Sequence, residues 1–257
     1  MYDLPEVRWA TDALWRGITE QLDARGIAAP AELDRRADHR AVWHEPGLLL
    51  SQTCGYPYAA HLRGRVRLVA TPRYRVDGHA DADYRSLLLV RRDDPADRLA
   101  DLRGRRVAFN ELESQSGHNT LRAVVAPLAR DGRFFAGGIA TGAHRASIAA
   151  VTEGRADLCA VDCVTWALLC RHEPERTGKL RPIGWTAAAP ALPLITALDG
   201  PVEALREALD SVVADAGLAA ARDALLLDGF AIRDDAEYDR ILVMEQESVA
   251  RGYPALG

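Results

Sequence analysis

Ser114 and Ser116 stand two residues apart in the run Arg106-Val107-Ala108-Phe109-Asn110-Glu111-Leu112-Glu113-Ser114-Gln115-Ser116-Gly117-His118-Asn119. The run reads as a short buried strand, a hydroxyl-rich turn and the start of a helix whose apolar residues include Leu121, Val124, Val125 and Leu128. Such a junction can hold an anion. The first N–H groups of a helix have no internal acceptor, the macrodipole adds about half a positive charge, and the serine hydroxyls donate more hydrogen bonds. A phosphate-like group would be held there without lysine. Serine is also a preferred N-cap, so capping alone is the competing reading.

Other polar residues close apolar runs in the same way. Asp162 ends Leu158-Cys159-Ala160-Val161 and precedes a helical stretch from Cys163, so it is either an N-cap or a carboxylate in a pocket. In an anion pocket a carboxylate repels a fully ionised oxygen and accepts a hydrogen bond from a protonated one, which favours a P–OH group over sulfate. His144 opens the helical segment after Thr141-Gly142-Ala143, a place that suits a ligand contact or a solvated helix start. Tyr56 and Tyr84 are phenolic donors or packing residues.

The elements that would position these groups alternate. A helical stripe (Val7, Ala10, Leu14, Ile18, Leu22) spans about 6–25 and ends near Gly26. Strand patterns fall at 48–53, 66–70, 86–90, 106–110, 139–141, 158–162, 180–185 and 194–198. Helices are expected at 116–129, 144–153, from 163, after Pro201, and at 235–251. The alternation predicts α/β layering with largely parallel sheets, and in such folds polar loops meet at the carboxyl ends of the strands.

Composition narrows the function classes. With 257 residues, 48% hydrophobic content and a formal net charge of −5, the chain reads as a soluble globular protein and not a nucleic-acid binder. Of its 32 basic residues only Lys179 is a lysine, a bias that discounts arginine abundance as a clue. No apolar run approaches the roughly 20 residues of a membrane span. Cys54, Cys159, Cys163 and Cys170 lack a metal-finger spacing and read as buried free thiols, with a Cys159/Cys163 disulfide as the alternative in an oxidising compartment.

Seven segments in order make the pattern specific. They are Gln52-Thr53-Cys54-Gly55-Tyr56, Tyr84-Arg85-Ser86, Asp101 to Ala108, Ser114-Gln115-Ser116-Gly117, Gly142-Ala143-His144, Gly154-Arg155-Ala156-Asp157 and Val161-Asp162. Together they resemble the phosphonate/phosphate/phosphite-binding proteins of ABC transporters, over nearly the whole chain. The resemblance implies a two-lobed type II periplasmic-binding-protein fold, each lobe a mostly parallel sheet flanked by helices, with the ligand in the cleft between lobes. It implies one lobe from 1–84 and 190–257 and another from 85–189, hinged near 84–86 and 189–194.

Carried over position by position, the resemblance makes Tyr56, Tyr84, Ser114, Gln115, Ser116, His144 and Asp162 the ligand-binding residues. Gln115 departs from the family, which commonly has a hydroxyl residue there. The implied function is delivery of a small phosphorus oxyanion or organophosphonate to an ABC permease. The binding protein is expected as a monomer, without metal, organic cofactor or nucleic-acid partner. The family also carries an export signal and a strand ahead of its first helix, whereas Met1 lies almost at the helix. The expected place is therefore the periplasm if the start is truncated or misassigned, and the cytoplasm as written. The rivals are an enzyme on the same scaffold, with His144, Asp162 and Cys163 as acid/base and nucleophile, and a cytosolic ligand sensor.

Overall fold

The apolar stripe of the N-terminal segment folds as the helix Arg8–Asp23, which buries Ala10, Leu14, Trp15, Ile18 and Leu22. Gly26 follows at φ +73°, a left-handed conformation that suits glycine and ends the helical run. This geometry comes from a computed structural model that describes residues 2–35 and 38–256. Among these, the strands in chain order are β1 (Ser51–Gln52), β2 (Val66–Tyr74), β3 (His79–Ala80), β4 (Asp83–Tyr84), β5 (Ser86–Arg91) and β6 (Arg106–Phe109). They continue as β7 (Gly137–Ala140), β8 (Leu158–Asp162), β9 (Leu180–Trp185), β10 (Ala189–Pro190), β11 (Leu194–Ala197) and β12 (Leu227–Ala231).

The chain forms two units, Met1–Arg75 with Ala191–Glu237, and Val76–Pro190 with Tyr238–Gly257. The first unit holds the sheet β1-β11-β2-β12, in which every neighbouring pair is antiparallel. That corrects the expected mostly parallel sheet, and the cause is interleaving. β1 and β2 run the same way, as do β11 and β12, which are joined through the helices Val202–Ala214 and Ala219–Ala224. Each pair takes a strand of the other between its members, so hydrogen-bonded neighbours oppose. The N-terminal helix and Val202–Ala214 cover this sheet, with Trp15, Ile18, Leu22, Val69, Leu205, Leu209 and Val212 in one core.

The second unit holds the sheet β7-β6-β8-β5-β9. β6 pairs in parallel with β7 and β8, and β5 runs against both β8 and β9. Four strands therefore share one direction and β5 alone is reversed. A small antiparallel sheet, β10-β4-β3, belongs to the same unit. The last helix, Asp239–Ala250, also packs here, and Tyr253 and Leu256 beyond it share a core with Val107, Phe109, Leu121, Val125 and Leu158. The observed grouping places 76–84, 190 and 238–257 with the second unit. Helical periodicity marks an apolar face without saying which core will cover it.

Candidate functional site

Three strands of the second unit end in polar loops that supply the site. β6 runs through Asn110 into a turn that delivers Ser114 at φ −80°, ψ 126°, an extended conformation suited to a cap. Its Oγ accepts from the N–H of Gly117 at 3.0 Å, so the capping reading of Ser114 holds. The first turn, Gln115–Asn119, is π-wound: the N–H of Asn119 donates to Ser114 O at 2.9 Å and that of Thr120 to Gln115 O. Two hydroxyls, Ser86 Oγ at 3.0 Å and Thr120 Oγ1 at 2.9 Å, donate to the carbonyl of Ser116. These bonds satisfy an oxygen that the wider turn leaves without its usual i+4 amide.

The opposite side of Ser116 meets the other two candidates. Ser116 Oγ lies 2.9 Å from His144 Nε2, and the same nitrogen is 3.3 Å from Asp162 Oδ2. The second carboxylate oxygen, Oδ1, accepts from the N–H of Thr165 at 2.8 Å. Asp162 therefore caps the helix Cys163–His172 with one oxygen and faces His144 with the other. His144 opens the helix His144–Thr152, set by a turn in which Gly142 adopts φ +85° and donates to Asn110 O at 2.8 Å. Burial lowers the His144 pKa, opposed by the Asp162 charge. The neutral imidazole is thus the form that burial favours.

Gly117 is required by a close approach. A Cβ there would lie 1.9 Å from Asn110 Oδ1 and 3.1 Å from His144 Cε1, so only glycine lets the turn, Asn110 and His144 meet. Asn110 and Thr120 are not singled out by sequence, and Gly117 and Ser86 stand in the motif segments without an assigned role. Ser86 had a visible signal, a hydroxyl opening the apolar strand Leu87–Val90, and in the structure it is buried.

The remaining candidates are each described by their own local contacts. Gln115 is fully buried and its side chain turns away from His144: Oε1 accepts from Asn119 Nδ2 at 2.7 Å and Nε2 lies 3.5 Å from Met244 Sδ of the last helix. Tyr84 is buried in β4, paired across to His79 and Ala189. Tyr56 belongs to the first unit, half-buried in the turn after β1, with its ring edge-on to His61 at 6.2 Å.

All four cysteines are free thiols, and Cys170 is exposed, which corrects its expected burial. It lies at the solvent side of the helix Cys163–His172, where the apolar run of the sequence extends past the buried face. Burial, then the Asp162 charge, pushes the Cys163 thiol up to about 12. Among the described residues no group of three or more His, Cys, Asp or Glu is arranged to hold a metal.

A family profile described as ABC transporter, phosphonate, periplasmic substrate-binding protein matches residues 50–238, well over half of the chain. The chain belongs to this family. Solved structures agree on the two-lobed type II fold. A binding protein component of an ABC phosphonate transporter from Pseudomonas aeruginosa aligns with a TM-score of 0.74 at 18% identity, covering 96% of this chain and 85% of that one. PhnD1 from Prochlorococcus marinus, in complex with methylphosphonate, aligns at 0.72 with 15% identity over 93% of each chain. A Xanthomonas citri protein bound to ATP aligns at 0.68 with 21% identity, over 94% of this chain and 92% of that one. No curated protein matches the sequence. The family consists of periplasmic solute-binding components of ABC transporters. Among the described residues no helix is long and apolar enough to cross a membrane.

Proposed function

We propose that this solute-binding protein takes a small phosphorus oxyanion, as a phosphonate, phosphate or phosphite, and presents it to an ABC permease. The observation that carries the reading is the convergence of Ser116, His144 and Asp162 beside the start of a helical turn. The first N–H groups of that turn and the Ser114 and Ser116 hydroxyls donate to charged oxygens. Asp162 Oδ2 accepts from a protonated one, which selects P–OH over fully ionised sulfate. The family pattern adds phenolic donors at Tyr56 and Tyr84. Gln115 contributes its backbone N–H to the turn while its side chain serves the interior.

The reading is one of binding without turnover. In a Ser–His–Asp triad the serine and the acid address opposite ring nitrogens, so that the imidazole relays a proton between roles. Here both lie against Nε2. A thiol held near 12, as at Cys163, supplies almost no thiolate at neutral pH.

A thermal-shift panel of phosphate, phosphite, methylphosphonate, 2-aminoethylphosphonate and sulfate tests the proposal. A ligand at a hundred times its Kd adds about 2.7 kcal/mol of stability. At least one phosphorus anion is expected to raise the Tm, and Ser116→Ala to abolish most of that rise. A flat panel with all four phosphorus compounds overturns the reading.

A further inference from the structure

The turn that carries Ser114 and Ser116 is tied from behind to the last helix by a connected set of side chains. Asn119 Nδ2 donates to Gln115 Oε1 at 2.7 Å and to Ile241 O at 3.0 Å. Asn119 Oδ1 accepts from Arg122 Nη2 at 2.6 Å. Arg122 also donates to Glu245 Oε1 at 3.0 Å and to Pro254 O at 2.8 Å. Gln115 completes the set against Met244. Gln115 and Asn119 are buried, and the Arg122 side chain is only 5% exposed.

The placement matters because the clamp and the site share one turn. Gln115 is the residue between Ser114 and Ser116, and its side chain is fixed inward while that of Ser116 meets His144. Asn119 contributes both ends of the arrangement, its backbone N–H closing the π turn on Ser114 O and its side chain gripping Gln115 and Ile241. A π turn is not what the backbone adopts by default, so something must hold it. Burying a guanidinium is costly unless it is paired and hydrogen-bonded, and here its Nη atoms are met by Asn119 of the turn, Glu245 of the last helix and Pro254 beyond it. A space-filling role alone would be met by an apolar side chain at 115.

We infer that Gln115, Asn119 and Arg122 act as positioning residues for ligand binding, fixing the π turn against the last helix so that Ser116 is presented to His144 and to the ligand. This inference rests on the reading of the turn as the phosphorus-anion site. It gives the glutamine in the middle of the motif a role from behind the site, with Met244 as its counterpart on the last helix and Glu245 as that of Arg122.

The test uses the full chain with two variants. Gln115→Met keeps the size and burial and removes the acceptor for Asn119, and Glu245→Gln removes the charge opposite Arg122 at a partly exposed position. The His144 imidazole nitrogens, followed by NMR through a pH titration of the ligand-free protein, report the Ser116 contact directly. Methylphosphonate binding is measured by calorimetry. Both variants are expected to shift the His144 titration, and Gln115→Met to weaken methylphosphonate by about tenfold, as for loss of one well-aligned hydrogen bond. A folded Gln115→Met with wild-type titration and affinity overturns the inference. If that variant does not fold, an unchanged titration in Glu245→Gln overturns it instead. If wild-type protein binds no phosphorus anion, the proposed function fails, while the ligand-free titrations still decide the clamp.

Discussion

Asp162→Asn separates the two duties of one carboxylate. Oδ1 caps the helix Cys163–His172 through Thr165, and asparagine is an equally good cap, so stability is expected to stay within about 0.5 kcal/mol of wild type. Oδ2 faces His144 Nε2 at 3.3 Å, and there the carboxylate has no neutral equivalent. Two like unit charges about 4 Å apart repel by about 4 kcal/mol at an effective dielectric near 20. Retaining even a third of that against sulfate, about 1.4 kcal/mol, amounts to a tenfold affinity difference. A protonated phosphonate oxygen loses a charge-assisted acceptor in the variant, worth about 1.5–3 kcal/mol. The expected result is therefore tighter sulfate and weaker methylphosphonate, with their affinity ratio moving by about a hundredfold or more. Calorimetry at pH 7 with both anions, beside the melting curves, measures it. A ratio unchanged within about twofold in a variant of wild-type stability refutes the assignment of Asp162 to selectivity.

Gly117→Ala puts a methyl group on Asn110 Oδ1, and overpacking of this kind costs about 1–3 kcal/mol. Adding Asn110→Ala is expected to recover part of that loss, a coupling that a double-mutant cycle of melting free energies reads. Burial, then the Arg122 charge, holds His118 down to about 4, partly opposed by Glu245. The folded value lies below the unfolded 6.5, so the unfolded state binds the extra proton between them, and stability present above pH 6.5 is lost as pH falls toward 4. The full loss is about 3 kcal/mol, and His118→Leu is expected to flatten this part of the curve of unfolding free energy against pH. Alkylation of the native protein at pH 8 is expected to modify exposed Cys170, slowed by a thiol pKa that burial raises, in preference to buried Cys54, Cys159 and Cys163, with mass spectrometry identifying the site. Fast labelling of Cys163 would contradict its raised pKa and revive a nucleophilic role.

Much of the fold was legible because hydrophobic period and punctuation agree locally. The helix after Pro201, the strands at 106–109 and 158–162, and the helix starting at His144 lie close to where their patterns predict. Interleaving of β1, β11, β2 and β12 was not legible, because a strand's own residues do not name its neighbours. In the site, the capping alternative held open for Ser114 and Asp162 is what the local hydrogen bonds show, since bonds of that kind depend on nearby sequence. The inward turn of Gln115 depends on Asn119 and on Met244, 129 residues further along the chain, and no local pattern carries that information. The π-wound turn escaped for a related reason: its Ser116 carbonyl is satisfied by Ser86, a residue of another strand.

Equilibrium affinities of the unmodified protein for methylphosphonate, phosphate, phosphite and sulfate, measured by calorimetry in one buffer at pH 7, test the central claim most directly. The account predicts that at least one phosphorus anion binds about a hundredfold or more tighter than sulfate, a margin near 2.7 kcal/mol. Sulfate binding as tightly as the best phosphorus anion, or no heat from any phosphorus anion, would contradict it.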